Sequence, residues 1–154
     1  MSTVMPTKES EITRKQVDDM LIASIRFRGE YEEAGENFGK LEPHCEGLVC
    51  GPPFCLYHYA TSTKGNIDIE VCFPVTQAVE VDDVKSRILK GGQALSILHY
   101  GPYQKLPDTY KKLFDYIEKK CISVQDTERE IYVEWHPDDP EKYVTEIQVF
   151  LDAN

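Results

Sequence analysis

Leu95–Leu106 reads LSILHYGPYQKL, and Ala23–Ala34 reads ASIRFRGEYEEA. Each is an apolar, strand-like run followed by a Gly, one further residue, and a Tyr that opens a helical pattern. The register extends outward from these turns. Gly29 and Gly101, Tyr31 and Tyr103, Phe38 and Tyr110, and Leu41 and Leu113 all stand 72 residues apart. Tyr57 and Tyr132 are 75 apart and Glu70 and Glu146 are 76 apart, a drift that loop length accounts for. Such internal spacing marks a duplicated unit packing on itself.

Between the two turns the pattern is consistent. Tyr31, Ala34, Phe38, Leu41 and Cys45 form a stripe at helical spacing. CLYHYA and IDIEVCFPV then read as strands around the loop TSTKGN. The second half repeats this order. AVEVDDVKSRIL is strand-like, KGG is a tight turn, and QALSILHYG is a strand. Tyr110, Leu113, Phe114, Ile117 and Cys121 stripe a second helix before REIYVEW and VTEIQVFL. The expectation is an α+β fold: strand, strand, helix, strand, strand, twice, as one antiparallel sheet with both helices on one face. The other face is expected to be open, with a groove at the seam between the halves. The boundaries read as a disordered segment over residues 1–10 and a single domain over 11–154, with repeats at 11–76 and 77–151.

Bulk properties exclude several classes. The chain of 154 residues is long enough to bury a core without metal or disulfide staples. The formal net charge of −10 argues against direct nucleic-acid binding, which needs a basic surface. No apolar run approaches a membrane span, and MSTVMPTKES is not a secretory signal. Five cysteines, an odd number, read as reduced thiols in a cytoplasm. Cys45, Cys50 and Cys55 do not have zinc-ligand spacing, so no metal is expected. GGQALS lacks the Lys-Ser/Thr of a phosphate loop, and no cofactor is expected.

IRFRGEYEEAGENFGKL, GPPFCLYHY, LKGGQALSILHYGPYQKLPDTYKKLFDYI and REIYVEWHPDDPEKYVTEIQVFL together resemble the GyrI-like effector-binding family. That family contains stand-alone DNA-gyrase-inhibitor proteins and the ligand-binding domains of AraC-type and MerR-type multidrug regulators. The resemblance runs from about Glu11 to Leu151 and implies duplicated βαββ units with a ligand groove between pseudo-symmetric halves. It implies binding of hydrophobic or cationic small molecules. Some similar stand-alone proteins hydrolyse cyclopropane-bearing toxins with a Tyr and a Glu of the groove. The ten residues before Glu11 and the three after Leu151 are expected to leave no room for a DNA-binding helix-turn-helix.

The groove is expected to be lined by sheet residues facing away from the helices. Alternation in VTEIQVFL sets Thr145, Ile147, Val149 and Leu151 toward the core and Glu146 the other way. The resemblance matches Glu146 to the groove glutamate and Tyr57 to the groove tyrosine, which become the catalytic pair if the protein is a hydrolase. Tyr132, Trp135, Glu70 and Glu134 complete the expected ligand-binding set, and Cys55 and Cys72 are expected as apolar fillers. His99 reads as structural. Three functions follow as expectations: capture of a hydrophobic or cationic compound, hydrolysis of a strained electrophile, and inhibition of a protein partner such as DNA gyrase.

Overall fold

The computed structural model describes residues 11–153, so the expected disordered segment lies outside the described residues. Eight strands and two α-helices follow in the order β1 (Thr13–Val17), β2 (Met20–Gly29), α1 (Ala34–Leu41), β3 (Phe54–His58), β4 (Ile67–Pro74), β5 (Lys85–Leu89), β6 (Gly92–Tyr100), α2 (Leu106–Lys119), β7 (Val124–Glu134) and β8 (Val144–Leu151). All strands join one antiparallel sheet in the order β1-β6-β8-β7-β3-β4-β2-β5. The duplicated βαββ reading is thus correct, and β3 and β7 meet at the seam.

The outermost strands are exchanged between the halves. β1 pairs with β6 of the second half, and β5 pairs with β2 of the first. Only Asp18 and Asp19 separate β1 from β2, and only Lys90 and Gly91 separate β5 from β6. Two residues span a few ångströms. Strands on opposite edges of the sheet therefore lie close in space, and the sheet must curl into a half-barrel. The two turns lock together where the edges approach. Gly91 N donates to Asp19 Oδ1 at 2.8 Å, and Lys90 Nζ lies 3.4 Å from Asp19 Oδ2. A Cβ on Gly91 would sit 1.9 Å from the Val17 carbonyl oxygen, so only glycine fits this crossing.

Both helices pack on one face of the sheet. Ala34, Phe38 and Leu41 of α1 cover Ala23, Ile25, Val71 and Phe73. Leu106, Leu113 and Ile117 of α2 cover Leu95, Ile97, Ile147 and Val149. Each fully buried side chain of this kind contributes about 2 kcal/mol. The helix entrances use different devices for the same turn. Gly101 has φ 113°, which disfavours any other residue. At Gly29 the Glu33 carboxylate folds back to accept from Glu30 N at 2.6 Å, in the space a Cβ would need. His99 is structural, as expected. Its Nδ1 lies 2.7 Å from Thr109 Oγ1 and its Nε2 2.9 Å from the Pro102 carbonyl oxygen, tying β6 to α2.

Three expectations are corrected. The face away from the helices is not open: Ser24, Asp68, Glu70, Ser96, Arg129 and Gln148 on it are at most 5% exposed, because the curled sheet and its crossed turns enclose it. Cys121 falls outside α2, in a positive-φ turn, and is exposed. The strand expected over AVEVDDVKSRIL is confined to β5, because a turn with Asp82 at φ 53° interrupts it. No helix among the described residues is long and apolar enough to cross a membrane.

Candidate functional site

The helices cover the outer strands of each half and leave the helix side of the seam to aromatic side chains. β3 and β7 pair with Cys55 opposite Glu130 and Tyr57 opposite Glu128. Cys55 and Glu130 are also 75 residues apart, the spacing of Tyr57 and Tyr132. The approximate two-fold axis relating the halves therefore passes between Cys55 and Glu130. Residues at and beside this axis face both halves at once.

Glu130 is 6% exposed and is ringed by phenols. Its carboxylate accepts from Tyr110 Oη at 2.5 Å, Tyr132 Oη at 2.8 Å and Tyr57 Oη at 3.4 Å. Tyr110 comes from α2, and the other two come from the seam strands. No cationic side chain pairs with Glu130 among the described residues. Burial pushes the Tyr57, Tyr110 and Tyr132 hydroxyls well above their ordinary range, so they stay protonated donors at neutral pH. Burial, then the charge of Glu130, pushes Glu128 up to about 7.

A second tier of rings lies over this floor. Tyr31 meets Tyr57 edge-on at 5.3 Å, and its hydroxyl is 2.9 Å from that of Tyr59. Tyr103 meets Tyr132 edge-on at 5.8 Å and stacks on Tyr143 at 4.9 Å. Tyr31 and Tyr103 are the residues that the repeated turns place at the two helix entrances. They are 46% and 37% exposed and form the outer rim of the cage. The repeated motif thus contributes one rim tyrosine from each half.

The structure divides the expected site residues into three groups. Tyr57 and Tyr132 come together on the helix side of the seam, with Cys55 in the floor beside them. Burial pushes the Cys55 thiol up to about 12, which leaves it a poor nucleophile. Glu146, Glu70 and Cys72 lie on the enclosed opposite face, because alternation along β4 and β8 points them away from the helices. Glu146 is bound by Lys15 Nζ at 2.6 Å, Ser96 Oγ at 2.7 Å and Gln148 Nε2 at 2.8 Å. Glu70 is bound by Ser24 Oγ at 2.6 Å, His58 Nε2 at 3.0 Å and both terminal nitrogens of Arg87. Both carboxylates are thus ion-paired within the protein. Glu134 and Trp135 form the third group. A bulge in β7 between Tyr132 and Glu134 breaks the alternation, leaving Glu134 near His136 at the surface and Trp135 63% exposed past the strand end.

The acid that stands among the seam tyrosines is thus Glu130, which the sequence reading did not single out. The signal was present in EREIYVE: the alternation that suggested Glu134 places Glu130 on the face of Tyr132 equally well. Among the described residues no cluster of His, Cys, Asp and Glu is arranged to hold a metal.

The sequence profile of the GyrI-like small molecule binding domain matches residues 10–151. No curated protein matches the sequence significantly. Several solved structures share the fold. EcmrR in its DNA complex superposes with a TM-score of 0.80 at 22% identity; the alignment covers 93% of this chain and 58% of that one, so this chain spans little more than half of EcmrR. The isolated EcmrR C-terminal domain gives 0.80 at 21% identity, covering 94% and 99%. A hydrolase from Listeria innocua gives 0.69 at 14%, covering 96% and 94%. SAV2435 bound to tetraphenylphosphonium gives 0.65 at 14%, covering 93% and 94%. At these identities the likeness is one of fold, whereas the profile match spans nearly the whole sequence, and the chain belongs to the GyrI-like small molecule binding domain family.

Proposed function

We propose that the protein captures lipophilic cations in the tyrosine cage, with Glu130 as the counter-charge. The observation that carries this reading is a buried carboxylate held by three phenols and matched by no cation among the described residues. The three phenol donors satisfy its oxygens but bring no charge. A ligand cation supplies the missing charge, and the ring faces add about 0.5–2 kcal/mol each where they are desolvated. The tetraphenylphosphonium complex of the fold relative SAV2435 supports the ligand class.

Tetraphenylphosphonium titration by calorimetry tests this directly. Glu130→Gln keeps the shape and removes the charge, and it is expected to weaken binding tenfold or more, about 1.4 kcal/mol at least. Glu146→Gln, on the enclosed face, is expected to bind within twofold of wild type. Equal affinity in Glu130→Gln, or loss only in Glu146→Gln, refutes the assignment.

One observation favours a hydrolytic alternative. Glu128, with its pKa pushed up to about 7, is poised for general-base work near neutrality beside tyrosine donors. In that case a strained electrophile is recovered one water heavier from wild type and unchanged from Glu128→Gln.

A further inference from the structure

The enclosed face carries a cavity of about 240 Å³ whose chemistry is opposite to that of the tyrosine cage. Its polar lining comes from Arg129, Lys90, His58, Gln125 and Thr127, and no carboxylate lines it. Leu56 and Phe150 supply apolar wall. Arg129 is the decisive residue. It follows the seam register directly before Glu130, so it projects from the other side of the same strand.

Arg129 is 3% exposed and makes no ion pair among the described residues, although the charge of Glu146 acts on it from a distance. Its guanidinium lies between aromatic rings, 4.6 Å from the Phe150 centroid and 5.4 Å from that of Phe54. One terminal nitrogen makes a long bond of 3.4 Å to the Lys90 carbonyl, and Nε has no partner. Gln148 is its cross-strand neighbour, yet its amide oxygen also has no partner, so the two do not satisfy each other. The carboxylates of this face are engaged elsewhere, Glu146 by Lys15 and Glu70 by Arg87 and His58. Burial lowers the Arg129 pKa only to about 10, so the group stays charged at neutral pH. A guanidinium taken out of water needs more than one long hydrogen bond to offset its lost hydration.

We propose that the enclosed face of the sheet holds a second site, in which Arg129 binds the carboxylate of a small organic acid. A guanidinium edge presents two parallel donors matched to the two oxygens of a carboxylate. The cavity corresponds to roughly eight water volumes, room for a compound of roughly ten non-hydrogen atoms. Its apolar walls suit the body of an aryl or branched alkyl acid. Lys90 also lines the cavity, its ammonium 3.4 Å from Asp19 Oδ2. Inorganic phosphate fits less well: it is more strongly hydrated and has no apolar part for the walls.

Benzoate is the probe, with benzamide as its neutral isostere and inorganic phosphate as a second anion, all at matched ionic strength. Calorimetry is expected to show saturable benzoate binding, at least tenfold tighter than benzamide or phosphate. The Arg129 Nε–H resonance is expected to shift on titration with benzoate. Arg129→Met is expected to weaken benzoate tenfold or more, with folding checked by a cooperative urea transition. Lys90→Ala removes a cation from the cavity lining and is expected to weaken it about threefold, and it decides the matter with the Nε–H shift if Arg129→Met does not fold. Absence of saturable binding to wild type, equal binding by benzamide, or undiminished binding by Arg129→Met overturns the site. Preferential binding of phosphate overturns the carboxylate assignment.

Discussion

Glu128 gives the sharpest physical test of the tyrosine cage. It is partly buried opposite Tyr57, and its pKa rises from 4.5 to about 7, first through burial and then through the charge of Glu130. In the unfolded chain the side chain loses its proton near 4.5. The folded protein holds that proton until about 7. The folded state therefore binds more protons between these values, and stability falls as pH rises through the window. A gap of this size corresponds to about 3 kcal/mol once both states are ionised. Glu128→Gln removes the ionisation and keeps the shape. The mutant is expected to exceed wild type by about 1 kcal/mol at pH 5 and by about 3 kcal/mol at pH 8. Urea unfolding from pH 5 to pH 8 measures the gap, and the denaturant slope is expected to stay the same. Saturating tetraphenylphosphonium is expected to narrow the gap at pH 8, because a bound cation favours the ionised glutamate. A pH-independent gap, or a wild type more stable than the mutant at pH 8, refutes the description of Glu128 as a strained carboxylate.

Glu70 behaves in the opposite sense. Burial raises its pKa, but bonds from His58, Arg87 and Ser24 outweigh it and hold the carboxyl at about 2. Its stabilisation is present above pH 4.5 and is lost as pH falls through 2, so Glu70→Gln is expected to cost about 3 kcal/mol at pH 7 and progressively less in acid urea melts. Gly91→Ala is expected to cost about 3 kcal/mol in the same assay, the upper end for overpacking, because the obstacle is the Val17 backbone and not a movable side chain.

The repeated turn made the architecture legible because spacing survives divergence in residue identity. Gly29 and Gly101 perform the turn by different means, yet the Tyr two residues later occupies equivalent places in both halves. The curl of the sheet was not legible. It follows from which strands pair, and Asp18–Asp19 reads as an ordinary hairpin turn until β1 is found on β6 and β2 on β5. The setting of the strand glutamates was not legible for a related reason. A half-covered sheet suggests that charged strand residues face solvent or a ligand. Here Glu70 and Glu146 point into the enclosed side of a half-barrel, and Lys15 and Arg87 from the exchanged edge strands neutralise them. Trp135 stands exposed past a bulge that alternation alone does not place.

Duplication explains the shape of the cage but not its charge. An approximate two-fold axis through the seam supplies Tyr57 with Tyr132 and Tyr31 with Tyr103, paired rings on either side of it. A residue next to the axis is brought close to its own counterpart. Two glutamates there would repel each other in a buried setting, and one would take up a proton. The sequence places Glu130 on one side and Cys55 on the other, so a single carboxylate stands near the centre. The same argument holds one residue earlier on the opposite face, where Arg129 is matched by Phe54, whose ring its guanidinium meets at 5.4 Å. At both positions the broken symmetry replaces a like-charge clash with one buried charge and a compatible neighbour. Each charge then lacks an ionic partner within the described residues, which is the condition a ligand of opposite charge can satisfy.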